Sequence, residues 1–423
     1  MTTSTAVSLA LVLLAMPAGG GSPALETQDA PDPLPGDPVF EATMADGSTV
    51  RGRIRSLSAD GRLELAGEDG DARTVPAGEV VKLSRGIPPS SRVSPDGPVL
   101  VFPGGDQIRG QLDSADEREV VLRSSIVGEL NVPLDAVLGF TVRAIPEKKA
   151  EARTIATLRS EPRTSDLLLL ENGDRRLITF TGLTGGELSY LDSDRAMRLP
   201  RETVLAIGLD PGLVREPELE GTSLDLILDD GSRLRLLGAS AAGARLSGQT
   251  TFGSEVQLPL DRVSDAYLLS DRVAYLSDLE ATREVTVPYI GPARPARTDG
   301  SVLGGPLVVG GRTYVRSLGT QSRSLLAYRL EPNDLRFQAR IALDDAAGPL
   351  GNVVFRVLVD GQERFASPPI AAGDEPMPVD VDLSGGRFLI LATEFGRGGG
   401  VRDYAAWIEA RLIRAPAEKD AGN

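Results

Sequence analysis

Asp46-Gly47-Ser48-Thr49-Val50-Arg51-Gly52 is the stretch on which the reading of the first two thirds of the chain turns. Asp-Gly between β-patterned runs is the strongest two-residue hairpin signal, because both positions tolerate positive φ. The pattern recurs. Gly105-Asp-Gln-Ile108-Arg-Gly110 copies it, and Gly173-Asp-Arg-Arg-Leu177 and Asp230-Gly231-Ser-Arg-Leu234 are weaker copies. Each copy's first Gly is followed 27 to 29 residues later by a Pro after an apolar residue: Val75-Pro76, Val132-Pro133, Leu199-Pro200 and Leu258-Pro259. Four residues after each Pro stands a Val: Val80, Val137, Val204 and Val263. One internal spacing kept four times marks a repeat.

Around each copy the pattern is of short strands. Apolar runs precede the Gly at Val39–Thr43, Val99–Phe102, Leu167–Leu170 and Leu224–Leu228. Arg62-Leu-Glu-Leu65 alternates, and Val80-Val-Lys-Leu83 and Val137-Leu-Gly-Phe140 close their units. The Pro lacks a donor and is expected to start or edge a strand. Five short strands in about 48 residues curl into a small barrel, similar to SH3-like and Sm-like barrels. The expected units are 38–85, 98–143, 166–210 and 222–270, and such units bury only about 60% of their unfolded surface. Packing or edge pairing between units is therefore expected. Gly86–Pro98 and Ala144–Ser165 read as linkers, the second with one short helix.

Past about residue 280 the character changes. Five of the seven Tyr, from Tyr275 onward, and the single Trp fall here or just before. Longer strands are expected at Leu335–Leu343, Val353–Val359, Arg387–Thr393 and Trp407–Ile413, with Asp360-Gly361 turning into Gln362–Phe365. This is a β-sandwich over 280–415, of a size that folds independently, so Thr282–Pro416 is expected to fold alone. The whole chain is thus all-β: tandem small barrels followed by a sandwich.

Four blocks of this segment resemble the NPCBM family, which is related to carbohydrate-binding modules. They are Gly311-Arg-Thr-Tyr314-Val-Arg-Ser-Leu318-Gly319-Thr-Gln321-Ser322, Leu335–Asp345, Gly351–Gly361 and Asp403-Tyr404-Ala-Ala-Trp407-Ile-Glu409. The resemblance implies a jelly-roll sandwich that binds sugar and does no chemistry. Where family motifs often carry His, this chain has Gln321 and Tyr404. Both still hydrogen-bond, but the ligand contact is open to change.

The candidate ligand contacts are Arg316, Gln321, Arg397, Asp403, Tyr404 and Trp407. Arg397 lies in Gly396-Arg-Gly-Gly-Gly400, a tip that cannot be strand. Trp407 has two readings, stacking on a sugar face or core. Its neighbours Ala406, Ile408 and Leu412 favour core. Asp344 and Asp345 end a strand before a Gly-containing loop. Related sandwiches hold a structural Ca²⁺ with such carboxylates, whereas turn capping or pairing with Arg336, Arg340 or Arg411 is the plainer use.

Two absences limit the chemistry. The 423 residues include no His and no Cys. That excludes Ser-His-Asp and Cys-His catalysis, disulfides, and zinc or iron–sulfur sites built on them. Sixty acidic residues guarantee that some carboxylate pair looks like a glycosidase pair, and no motif isolates one. A net charge of −15 repels phosphate backbones, so no nucleic-acid partner is expected. Ala6–Met16 is an apolar run too short to span a bilayer, followed by small residues. It reads as a signal peptide over 1–22, with 23–37 a disordered linker and 416–423 a disordered tail. No transmembrane segment is expected in the mature chain.

The sequence therefore predicts an exported, periplasmic or extracellular, non-enzymatic protein whose partner is a glycan or polysaccharide. One alternative is a cell-envelope scaffold whose barrels bind envelope proteins. A second is a glycosidase or its accessory subunit.

Overall fold

In the computed structural model, residues 36–58, 62–67, 71–86, 97–215, 222–289 and 291–416 are described. The expected signal peptide and both disordered termini lie outside them, apart from the last residues before the first strand and Pro416 at the tail; most of the expected linker Gly86–Pro98 lies outside too. The described residues are all-β apart from the helix Lys148–Ser160 and short 3₁₀ turns.

The opening motif shows why a unit curls. Gly47 takes φ +86° in the turn between Val39–Met44 and Thr49–Leu57. Gly52 then lets the next strand come close: a Cβ there would sit 2.7 Å from the carbonyl oxygen of Ala66. Gly110 repeats this, its Cβ position 2.6 Å from the Arg123 carbonyl. In the first unit, Arg62–Ala66 and Ala72–Pro76 complete the meander, and Val80–Ser84 returns to pair with Val39–Met44. Units three and four repeat that order, while in unit two the second strand breaks at Gly110. The repeated Pro does not start a strand. It ends the fourth one and leads into a 3₁₀ turn, as at Pro76 with φ −58°, so its missing N–H falls where the ladder stops.

The units do not pack in chain order. The closing strand of the first, Val80–Ser84, pairs antiparallel with that of the fourth, Val263–Leu269, with Lys82 opposite Tyr267. Closing strands of the second and third do the same, with Phe140 opposite Ile207. Second strands also meet in the same way in both pairs: Leu57 opposite Ala241, and Ala115 opposite Leu183. Two alike pairs of barrels result, joined where Arg233 faces Gln107 and the Ser232 hydroxyl accepts from the Arg109 amide. One apolar core runs through all four units, which resolves the instability of a single one.

Each pair has an outer seam that must be covered. Over the second and third units the cover is the helix, with Ile155 and Leu158 against Val99, Val101, Leu138 and Ala206. Over the first and fourth it is the sandwich, with Val273, Tyr275 and Ile413 against Ala45, Val81, Ile227 and Tyr267.

The sandwich has two antiparallel sheets. One runs Arg297–Thr298, Ser317–Gln321, Tyr404–Arg414, Asp334–Leu343, Met377–Asp382. The other runs Arg283–Thr286, Ser324–Arg329, Phe388–Phe395, Asn352–Val359, Gln362–Ala366. Their apolar faces meet around Trp407, Phe337 and Phe355. A boundary at 280 is too late: Val273–Tyr275 pairs with Ile413, Leu412 and Arg411 and belongs to the first sheet.

Candidate functional site

The expected ligand contacts separate into three places. Arg316 is completely buried and offers nothing to a ligand. Its guanidinium bridges Asp225 of the fourth barrel and Asp278, at 2.7 Å each, and lies over the Tyr275 ring. It is an anchor between barrels and sandwich. Trp407 is also completely buried, edge-on to Phe355 at 5.0 Å and Phe337 at 6.1 Å, so it is core. Arg316, just before Ser317–Gln321, turns toward the barrels and is the correction; Trp407 turns into the sandwich, the reading its neighbours favoured.

The remaining four gather at one end of the sandwich. Gln321 and Tyr404 are directly paired across adjacent strands, Gln321 buried and Tyr404 partly exposed. Asp403, beside them, is buried and accepts from the Ser322 hydroxyl and from the Asn352 amide at 3.0 Å. Burial raises its pKa, against the pull of those two hydrogen bonds. Asp403 thus ties three loops together rather than facing solvent. Asn352 Oδ1 accepts from the Arg397 amide at 2.7 Å, holding the base of the Gly-rich tip. The Arg397 side chain is exposed.

Sequence reading missed Tyr289. It is 69% exposed, its ring 5.8 Å from that of Phe395 and nearly perpendicular to it. A Cβ at Gly399 would lie 3.4 Å from the Tyr289 ring, and one at Gly400 would lie 3.6 Å from the Ser322 hydroxyl. The tip therefore folds down between the Tyr289 ring and the Gln321–Tyr404 end of the sheet. Val401 and Leu350 are exposed nearby, and the backbone oxygen of Arg402 packs on Gly351. Tyr289 stands in an irregular Pro- and Gly-containing stretch, where periodicity carries no signal. What was available was the bare presence of an aromatic in a loop.

Asp344 and Asp345 serve turns. An Asp344 oxygen accepts from the Ala346 amide at 2.9 Å, and the two Asp345 oxygens accept from the Gly310 and Gly311 amides at 2.8 Å each. Among the described residues no group of three or more acidic side chains that could hold a metal ion is found. Turn capping, not pairing with Arg336, Arg340 or Arg411, is their use.

Opposite the loop end, the sandwich meets the barrels through buried charge. Lys82 contacts Glu409 at 2.5 Å and Asp265 at 3.3 Å, and the Tyr267 hydroxyl donates to Glu409. Glu409 has φ +52°, at a bulge in its strand. Burial would raise its pKa, but Lys82, Arg340 and Arg411 outweigh that and hold it at about 2. Asp225 gathers Arg233 and Arg316, both at 2.7 Å.

The sandwich thus gathers Gln321, Asp403, Tyr404 and the Gly-rich tip at one end. Residues 272–413 match the NPCBM/NEW2 domain family, and the C-terminal third of the chain is such a domain. It is similar to a protein of Renibacterium salmoninarum described as an endo-alpha-N-acetylgalactosaminidase, 28% identical over 126 residues. The match covers 29% of this chain and spans only 8% of that protein's length. Among solved structures, it is similar to the CBM51 module of a Clostridium perfringens GH95 protein in complex with methyl-galactose. That match has 24% identity and a TM-score of 0.31, covering 33% of this chain and 99% of the other. Another similar structure is the CBM51-2 and INT domains of Clostridium perfringens ZmpB in complex with GlcNAc. It has 20% identity and a TM-score of 0.31, covering 47% of this chain and 39% of that one.

Proposed function

We propose that this protein is an exported, non-catalytic glycan-binding protein whose sandwich reads sugar at the loop end and whose barrels hold it in place. The observation that carries the reading is the NPCBM/NEW2 match over residues 272–413. Supporting it is an exposed aromatic, Tyr289, set against Phe395 and the Gly-rich tip. An aromatic face packs on the apolar face of a pyranose, while amides and hydroxyls fix its orientation. Export is supported by the apolar run Ala6–Met16 followed by small residues.

The test is a glycan array probed with the full chain and with Tyr289→Ala. Binding to a defined glycan set, reduced about five- to thirtyfold in Tyr289→Ala, is expected, because loss of a stacked ring costs on the order of 1–2 kcal/mol. Absence of binding across the array moves the reading to an envelope scaffold acting through the barrels. Release of reducing sugar from a bound glycan moves it to a glycosidase.

A further inference from the structure

We propose that the ligand of this loop end is an acidic glycan, one carrying carboxylate or sulfate groups, and that Arg397 and Arg402 read its charge. This rests on the glycan-binding reading above and adds the class of sugar. Arg397 opens the Gly-rich tip and Arg402 closes it, so the two flank the segment that packs on Tyr289. Both side chains are exposed. Neither takes part in an ion pair or a side-chain hydrogen bond among the described residues, whereas Arg323 nearby is paired with Glu394 at 3.2 Å. Arg402 reaches over Gly348, its Nη1 3.5 Å from where a Cβ would stand there.

Four carboxylates of the neighbouring loops have partners of their own, an ion pair for Glu394 and hydrogen bonds for the other three. Glu394 is paired with Arg323, and Asp403 is buried under two donors. Asp345 is held by two backbone amides, and Asp374 accepts from the Ala371 amide at 2.8 Å. Two planar guanidinium groups, one at each end of the tip, thus carry no ion pair among the described residues, and the tip between them packs on the exposed Tyr289 ring. A guanidinium pairs bidentately with carboxylate or sulfate. The chain's overall charge of −15 does not forbid this, since charges more than about 8–10 Å away are screened at physiological salt.

The experiment titrates the full chain with polygalacturonate and with its methyl ester, and with dextran sulfate and plain dextran. The expected result is binding to at least one acidic member at least about tenfold tighter than to its neutral counterpart. That preference should weaken in 0.5 M salt and vanish in Arg397→Gln/Arg402→Gln, while the variant keeps the wild-type melting temperature. The carboxylate and sulfate arms separate the two anion sources. Equal binding of acidic and neutral members, or an acidic preference untouched in the double variant, overturns the proposal and leaves the glycan reading standing. No acidic member bound, with neutral glycans bound on the array, overturns it likewise. No glycan of any kind bound overturns both.

Discussion

At the scale of single residues, two buried carboxylates respond to pH in opposite directions, Asp106 between the second and fourth barrels and Glu409 between barrels and sandwich. Burial and the nearby Asp225 push Asp106 up to about 6, against Arg233 and Arg235. One of its oxygens accepts from the Arg235 amide and the Thr251 hydroxyl, and the other has no partner. Its folded pKa lies above the unfolded value of 3.8. Stability present at acid pH is therefore lost as pH rises through that window. At pH 7.5 the ionised group costs roughly 2–3 kcal/mol. Asp106→Asn is expected to raise the melting temperature at pH 7.5 and to lose most of that gain near pH 4.5. A gain equal at both values would mean that the charge is not the cause. Glu409 has the reverse sign: held at about 2 from 4.5, it supports the fold above pH 4.5 and gives that up as pH falls toward 2. None of this was legible beforehand. Arg316 read as a surface contact because nothing in its neighbours in sequence names Asp225, which lies 91 positions away.

Among elements, the hairpin motif carried more information than its turn. Gly47 was legible as a turn residue from Asp-Gly alone. The need for Gly52 is tertiary: its Cβ would meet the backbone of the neighbouring strand at Ala66. A carbonyl cannot rotate away as a side chain can. Gly52→Ala is therefore expected to cost about 1–3 kcal/mol, read as a lower denaturant midpoint with unchanged slope. An unchanged midpoint would show that Thr49–Leu57 can shift without cost. The sandwich strands were legible from alternation such as Phe337, Ala339, Ile341 and Leu343, all of them buried. The strand Val273–Tyr275 was not, because three residues are too few to show a period. At the loop end the same contrast holds: the Gly-rich tip was visible as a loop, but its packing on Tyr289, more than a hundred positions earlier, was not.

Over the whole molecule, the barrels and the sandwich are not separable modules. The sandwich covers the seam of the first and fourth barrels as the helix covers that of the second and third. Separation would strip Glu409 of Lys82 and Arg316 of Asp225 and expose the apolar seam of Val273, Tyr275 and Ile413 to water. The fragment 271–416 is expected to melt below the sandwich in the full chain, and 282–416, which lacks Val273–Tyr275, lower still. Equal midpoints for all three would mean that the sandwich draws nothing from the barrels.

Local pattern by itself determined the all-β class, the four-fold repeat, the sandwich after it, and the exclusion of His- and Cys-based chemistry. These follow from turn residues, alternation and composition, which act within a few positions of one another. The tertiary structure alone decided that the first barrel pairs with the fourth and the second with the third. It also buried Arg316 and Trp407 and placed Tyr289 beside the Gly-rich tip. Each of these depends on surfaces brought together from distant parts of the chain, where the cost of an uncovered apolar seam or an unpaired buried charge selects one arrangement.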